Sequence, residues 1–88
     1  MAGSLLCSVL SPEGTIFEGE ASFVEAHALD GRLGILPGHA PLITALGEGP
    51  LRISISDSDE RRWQISGGFM EVLKNKVSIV AEGLEQTS

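Results

Sequence analysis

Histidines at positions 27 and 39, a cysteine at 7, a Ser66-Gly67-Gly68 corner and a Lys74-Asn75-Lys76 cluster are the groups in this sequence that could do chemistry beyond its carboxylates. Each lacks the partners its chemistry requires. A metal centre needs three or four ligands at workable spacing, and no CxxC or HxxxH accompanies His27 and His39. A single Cys7 excludes an internal disulfide framework and any multi-cysteine site. Ser66-Gly67-Gly68 follows a strand pattern but opens no helix, so it is no nucleophile elbow for either histidine. The glycines of DGRLGILPGHAPLITALGEG, residues 30–49, suggest a phosphate cradle at Gly31, Gly34 and Gly38. That motif needs a Gly-Lys-Ser/Thr ending and a following helix N-terminus, and both are missing. The expectation is no catalytic residue, no cofactor site and no metal.

Lys74-Asn75-Lys76 reads as a hairpin tip, the place where lipoyl- and biotinyl-type carrier domains present a modified lysine. Its flanks, Val72-Leu73 and Val77-Ser78, lack the Asp-Lys-Ala or Met-Lys-Met context of those domains. A solvated turn is the better reading of the lysines.

The elements that position these groups are short strands. Gly, Pro and acidic residues punctuate the chain at strand-like intervals, and no window keeps an i, i+3, i+4, i+7 stripe. Leu5 to Leu10 reads as a strand ended by Ser11-Pro12-Glu13-Gly14, which suits a type I turn with Pro second and Gly fourth. A return strand starts at Thr15 to Phe17 and stops at Gly19. Ala21 to Leu29 follows, with Val24, Ala26 and Ala28 on one face and Phe23, Glu25, His27 and Leu29 on the other. Asp30-Gly31 is a two-residue hairpin signal leading into Leu33 to Leu36. Pro37-Gly38 turns the chain into Pro41 to Leu46, and Gly47-Glu48-Gly49-Pro50 ends that strand. Leu51 to Ser56 alternates, with Leu51, Ile53 and Ile55 inward. Asp57 to Glu60 is a polar tip before Arg62 to Ile65, and Phe69 to Lys74 and Val77 to Glu82 complete the set.

An 88-residue chain with 42% apolar residues makes one domain, 1–88, with a real core. The expected fold is all-β, a flattened β-sandwich or barrel of about ten short strands. Net charge is −6, and Arg32, Arg52, Arg61, Arg62, Lys74 and Lys76 read as scattered, which excludes nucleic acid and a polybasic membrane patch. No apolar run is long enough to span a bilayer, so direct membrane insertion is not expected. Apolar residues beside charged ones on a single strand face, namely Phe23 and Leu29 around Glu25, and Phe69 and Leu73 around Glu71, mark candidate interface positions.

Taken in order, Phe17-Glu18-Gly19-Glu20-Ala21, Gly31 through Thr44, Gly49-Pro50-Leu51-Arg52-Ile53 and Ser66-Gly67-Gly68-Phe69-Met70-Glu71-Val72 resemble the epsilon subunit of F-type ATP synthases across nearly the whole chain. The resemblance implies a ten-stranded sandwich acting as a non-catalytic rotor subunit of the central stalk. It would link the gamma subunit to the polar loops of the c-ring beneath the catalytic head and so couple proton translocation to ATP synthesis. By the same resemblance Leu29, Asp30, Gly31 and Arg32 face the c-ring, and Ser11, His39 and Thr44 face gamma. Position 32 is often acidic or neutral in that family and is Arg here, which leaves Asp30 to meet a c-ring arginine. Family members usually continue into a C-terminal helical hairpin that carries ATP binding and inhibition. This sequence ends at Ser88, so those functions are not expected of it. The implied location is peripheral, on the cytoplasmic face of a bacterial plasma membrane, with thylakoid or mitochondrial inner membrane as alternatives. The competing reading is a generic β-sandwich adaptor with an unrelated partner.

The carrier alternative gives the first test: intact mass after co-expression with lipoyl and biotinyl ligases should equal the sequence mass. An adduct on Lys74 or Lys76 would make the chain a carrier domain.

Overall fold

The computed structural model describes residues 4–87, and every regular element in that range is a strand. Ten strands run β1 (Leu5–Ser11), β2 (Gly14–Ala21), β3 (Phe23–Ala28), β4 (Gly31–Ile35), β5 (Leu42–Leu46), β6 (Gly49–Ser56), β7 (Asp59–Ile65), β8 (Gly67–Leu73), β9 (Lys76–Glu82) and β10 (Glu85–Gln86). They hydrogen-bond in the order β10-β7-β6-β3-β5-β8-β9-β1-β2, with β4 on the free edge of β3. One bridge, Ala28 to Leu46, joins β3 to β5. The sheet therefore folds there into two five-stranded layers, β10-β7-β6-β3-β4 and β5-β8-β9-β1-β2. β1 and β9 are parallel; the other pairs are antiparallel.

Alternation explains the core. Leu5, Cys7 and Val9 of β1, Met70 and Val72 of β8, and Val77, Ile79 and Ala81 of β9 turn inward from one layer. Val24 and Ala26 of β3, Ile35, Leu51, Ile53, Trp63 and Ile65 meet them from the other. Burying each large aliphatic side chain contributes about 1.5–3 kcal/mol before the entropy of ordering the chain is subtracted. Phe17 closes the side of the core edge-to-face on Trp63, with ring centroids 6.0 Å apart. No polar or charged residue is buried among the described residues.

The turns differ from expectation in instructive ways. The β3–β4 turn centres on Leu29-Asp30, not Asp30-Gly31, because Ala28 pairs with Gly31. Gly31 (φ 144°) then follows the turn as Gly14 (φ 131°) follows Pro12-Glu13, and glycine carries the awkward torsion in both. The Lys74-Asn75 turn is instead built from two non-glycine residues at φ 50° and 62°, the primed geometry that suits a tight hairpin. Pairing also extends past the turn residues: β2 runs to Ala21, β6 begins at Gly49 and β7 begins at Asp59. The short β10 has no hydrophobic pattern and exists because Glu85 and Gln86 pair with Gln64 and Trp63.

Gly68 is where two backbones come closest. A Cβ built there lies 2.0 Å from the Val80 carbonyl oxygen, whereas one built at Gly14 meets nothing within 4 Å. Both positions have positive φ, so Gly14→Ala should cost about 1–2 kcal/mol from torsion alone. Gly68→Ala should cost several kcal/mol more, because β8 and β9 must part. Urea melts of the two variants check this, and equal losses would contradict the close approach.

Candidate functional site

Sequence offers no catalytic set, and the described residues contain no group of three or more His, Cys, Asp or Glu placed to hold a metal. The outer faces of the two layers are finished in opposite ways.

The face of β4-β3-β6-β7 is a ladder of charges. Glu25 pairs with Arg32 (3.3 Å) and Arg52 (2.8 Å), while Glu60 meets Arg52 (3.8 Å) and Arg62 (2.5 Å). The basic residues read as scattered along the sequence are thus partly gathered. Register sets Arg52 directly opposite Arg62 and beside Glu25, which local sequence cannot reveal. Phe23 is on this face, half-buried, with the Arg52 guanidinium 5.7 Å from its ring centroid. Exposed ion pairs contribute little to stability individually, but they keep this face well solvated.

The face of β5-β8-β9-β1 is the reverse. Cross-strand registers set Phe69, Val80 and Leu10 in one row, Ile43, Glu71, Ser78 and Ser8 in the next, and Leu73, Lys76 and Leu6 in a third. Ile43 is 74% exposed, Phe69 62% and Val80 52%, with Leu6, Leu10 and Leu73 also exposed. The rows span about 14 Å across the strands and about 13 Å along them at standard sheet spacings. Apolar residues grouped at this scale mark interaction sites. Phe69 and Leu73 therefore lie in one patch, whereas Phe23 is on the opposite side of the domain.

The other expected contact residues divide between the ends. Ser11 and the Leu29-Asp30 turn share one end, linked through the rows Ala28–Leu46–Gly68. The Ser11 hydroxyl caps its own turn, accepting from Glu13 N–H (3.1 Å) and donating to the Gly14 carbonyl (3.3 Å). Leu29 is 76% exposed, and Asp30 makes no ion pair among the described residues. Arg32 is engaged by Glu25. His39 sits at the far end, in the loop between β4 and β5. Gly38 N–H donates to the Asn75 side-chain carbonyl (2.7 Å), which ties that loop to the β8–β9 turn. Asn75 is thus more than part of a solvated tip, a role visible only once the two turns meet in space. Nδ1 of His39 lies 2.7 Å from the Ala40 carbonyl, which can only accept, so Nδ1 carries the proton. Thr44 lies on the inner side of β5 opposite Met70, half-buried, and it is neighbouring Ile43 that points outward.

A family model for the delta/epsilon chain of ATP synthase, β-sandwich domain, matches residues 4–87. Two solved assemblies contain chains of similar fold. One is the Euglena gracilis mitochondrial ATP synthase (OSCP/F1/c-ring), at 20% identity and TM-score 0.88, covering 96% of this chain and 54% of that one. The other is the Tetrahymena thermophila mitochondrial ATP synthase (central stalk/c-ring), at 18% identity and TM-score 0.77, covering 91% and 64%. This chain thus spans between half and two thirds of the length of those relatives.

Cys7 is fully buried, and loss of hydration pushes its thiol pKa from 9.0 up to about 12. The thiol should resist alkylation at about pH 8 until the protein is unfolded. An unfolded chain ionises near pH 9, so stability from this residue is intact below that and lost as pH rises towards 12. Urea melts should fall by up to about 1.4 kcal/mol per pH unit within that window, and Cys7→Ala should flatten the slope.

Proposed function

The chain belongs to the delta/epsilon β-sandwich family of ATP synthases, and we propose that it serves as a central-stalk, rotor domain joining a gamma-type shaft to the c-ring. It does no chemistry itself and transmits torque between proton flow and the catalytic head. The observation that carries the reading is the bare apolar outer face of β5-β8-β9-β1, which suits a rigid partner far better than water.

On this reading the two contact regions are separate. The Leu29-Asp30-Gly31-Arg32 turn projects from one end towards polar c-ring loops, with Asp30 rather than the engaged Arg32 offering the free charge. The lateral face meets gamma, flanked by Ser11 at one end and His39 at the other. Thr44 contributes through the edge of β5 away from β8, which among the described residues is bridged only at Leu46. Rigidity matters for such a part: two hydrogen-bonded layers closed over an apolar core pass rotation on without storing much of it. The chain is a peripheral member of the membrane complex, at a bacterial cytoplasmic face or its thylakoid or mitochondrial equivalent.

Titration calorimetry with purified gamma subunit and with detergent-solubilised c-ring separates the regions. Leu29→Asp should weaken c-ring association about tenfold and leave gamma affinity unchanged. His39→Ala should weaken gamma binding severalfold with the fold intact. Absence of binding by the unmodified chain to either partner at micromolar concentration would return the domain to the generic adaptor reading.

A further inference from the structure

Glu71 is the charge that the apolar face does not explain. It stands at the middle of the patch, between Phe69 and Leu73 along β8 and between Ile43 and Ser78 across the strands. No ion pair or hydrogen bond engages its carboxylate among the described residues. Further carboxylates border the face: Glu18 and Glu20 on β2 sit opposite Ser8 and Leu6, and Glu82 lies two residues beyond Val80. Lys76 is the cation among these rows. The other outer face, by contrast, carries Arg32, Arg52 and Arg62 already matched to Glu25 and Glu60. Charge is thus segregated: matched on one side, acidic and unmatched around the apolar side.

We propose that the β5-β8-β9-β1 face docks onto a partner protein surface that is apolar at its centre and places a lysine or arginine against Glu71, with further basic residues opposite the acidic border. Burying Glu71 against an uncharged surface would leave a desolvated, unpaired carboxylate, which is strongly disfavoured. A cation placed there turns the same residue into a register pin, because a misdocked partner must leave both charges unpaired.

Two other occupants fit less well. A second copy packed face to face about a two-fold axis near the patch centre would bring Glu71 close to its own symmetry mate and one acidic border onto the other. An anionic bilayer would be repelled by the border and by the net charge of −6. The patch is smaller than the roughly 800 Å² that each partner buries in a standard interface, so it forms the apolar centre and the acidic residues its rim.

This inference rests on the stalk reading only in the choice of probe, the cognate gamma subunit. Calorimetry should give about 100-fold weaker binding for Phe69→Ser and about tenfold weaker binding for Glu71→Gln, with folding of each confirmed by circular dichroism. Glu71→Gln should also flatten the dependence of affinity on salt, a readout that loss of apolar contact alone would not move. If gamma binds and both variants bind like the unmodified chain, the inference is overturned while the stalk reading stands. If gamma does not bind, the stalk reading fails. Sedimentation of the chain alone then decides the face: a dimer abolished by Phe69→Ser overturns the inference in favour of a second copy. A monomer that binds no gamma overturns it as well.

Discussion

Each long strand of this domain must commit one of its two sides to the core, and that parity governs the rest of the structure. With period-two alternation, Leu51, Ile53 and Ile55 can face inward only if Arg52 and Ser54 face out, and a slip of one residue would exchange them. A chain of this size has few residues to spare, so both layers fill their inward positions with apolar groups, half-buried Thr44 apart, and fully bury no polar residue among those described. The outward positions are left to meet water or something else. Their composition is therefore informative, because the fold does not require it.

The two layers use that freedom differently. Across β4-β3-β6-β7 the outward positions hold arginines and glutamates that form ion pairs with one another. Across β5-β8-β9-β1 they hold Ile43, Phe69, Leu73, Val80, Leu6 and Leu10. The core gains nothing from these side chains, since each strand already supplies its inward set. Leaving them exposed carries a risk of aggregation. A partner that covers them removes that risk and gives a small domain burial it cannot provide for itself. The turns complete the arrangement by holding the ends of this face: Ser11 caps one, and Asn75 fastens the His39 loop at the other.

Much of this was legible in the sequence because alternation and turn residues are local signals. Leu51-Arg52-Ile53, the Ser11-Pro12-Glu13-Gly14 tetrad and the inward set Val24, Ala26, Ala28 all appear where the pattern put them. What the sequence hid is non-local. Arg32, Arg52 and Arg62 lie far apart in the chain and meet only through the β3–β4, β3–β6 and β6–β7 registers. Phe23 resembles Phe69 in its local setting, yet the fold at the Ala28–Leu46 bridge puts the two on opposite sides. Glu85 and Gln86 form a strand with no propensity for one, because a neighbour offers hydrogen bonds. The one-residue displacement of the β3–β4 turn has a local cause: glycine after the turn serves as well as glycine within it.

The central claim is that one outer face meets a partner and the other meets water. Hydrogen–deuterium exchange of the domain, free and saturated with gamma subunit, tests it most directly. Protection gained along β5, β8 and β9, with exchange in β3, β6 and β7 unchanged, is the result this account predicts. Protection confined to the charged β3-β6-β7 face, with the apolar strands exchanging as in the free domain, would contradict it.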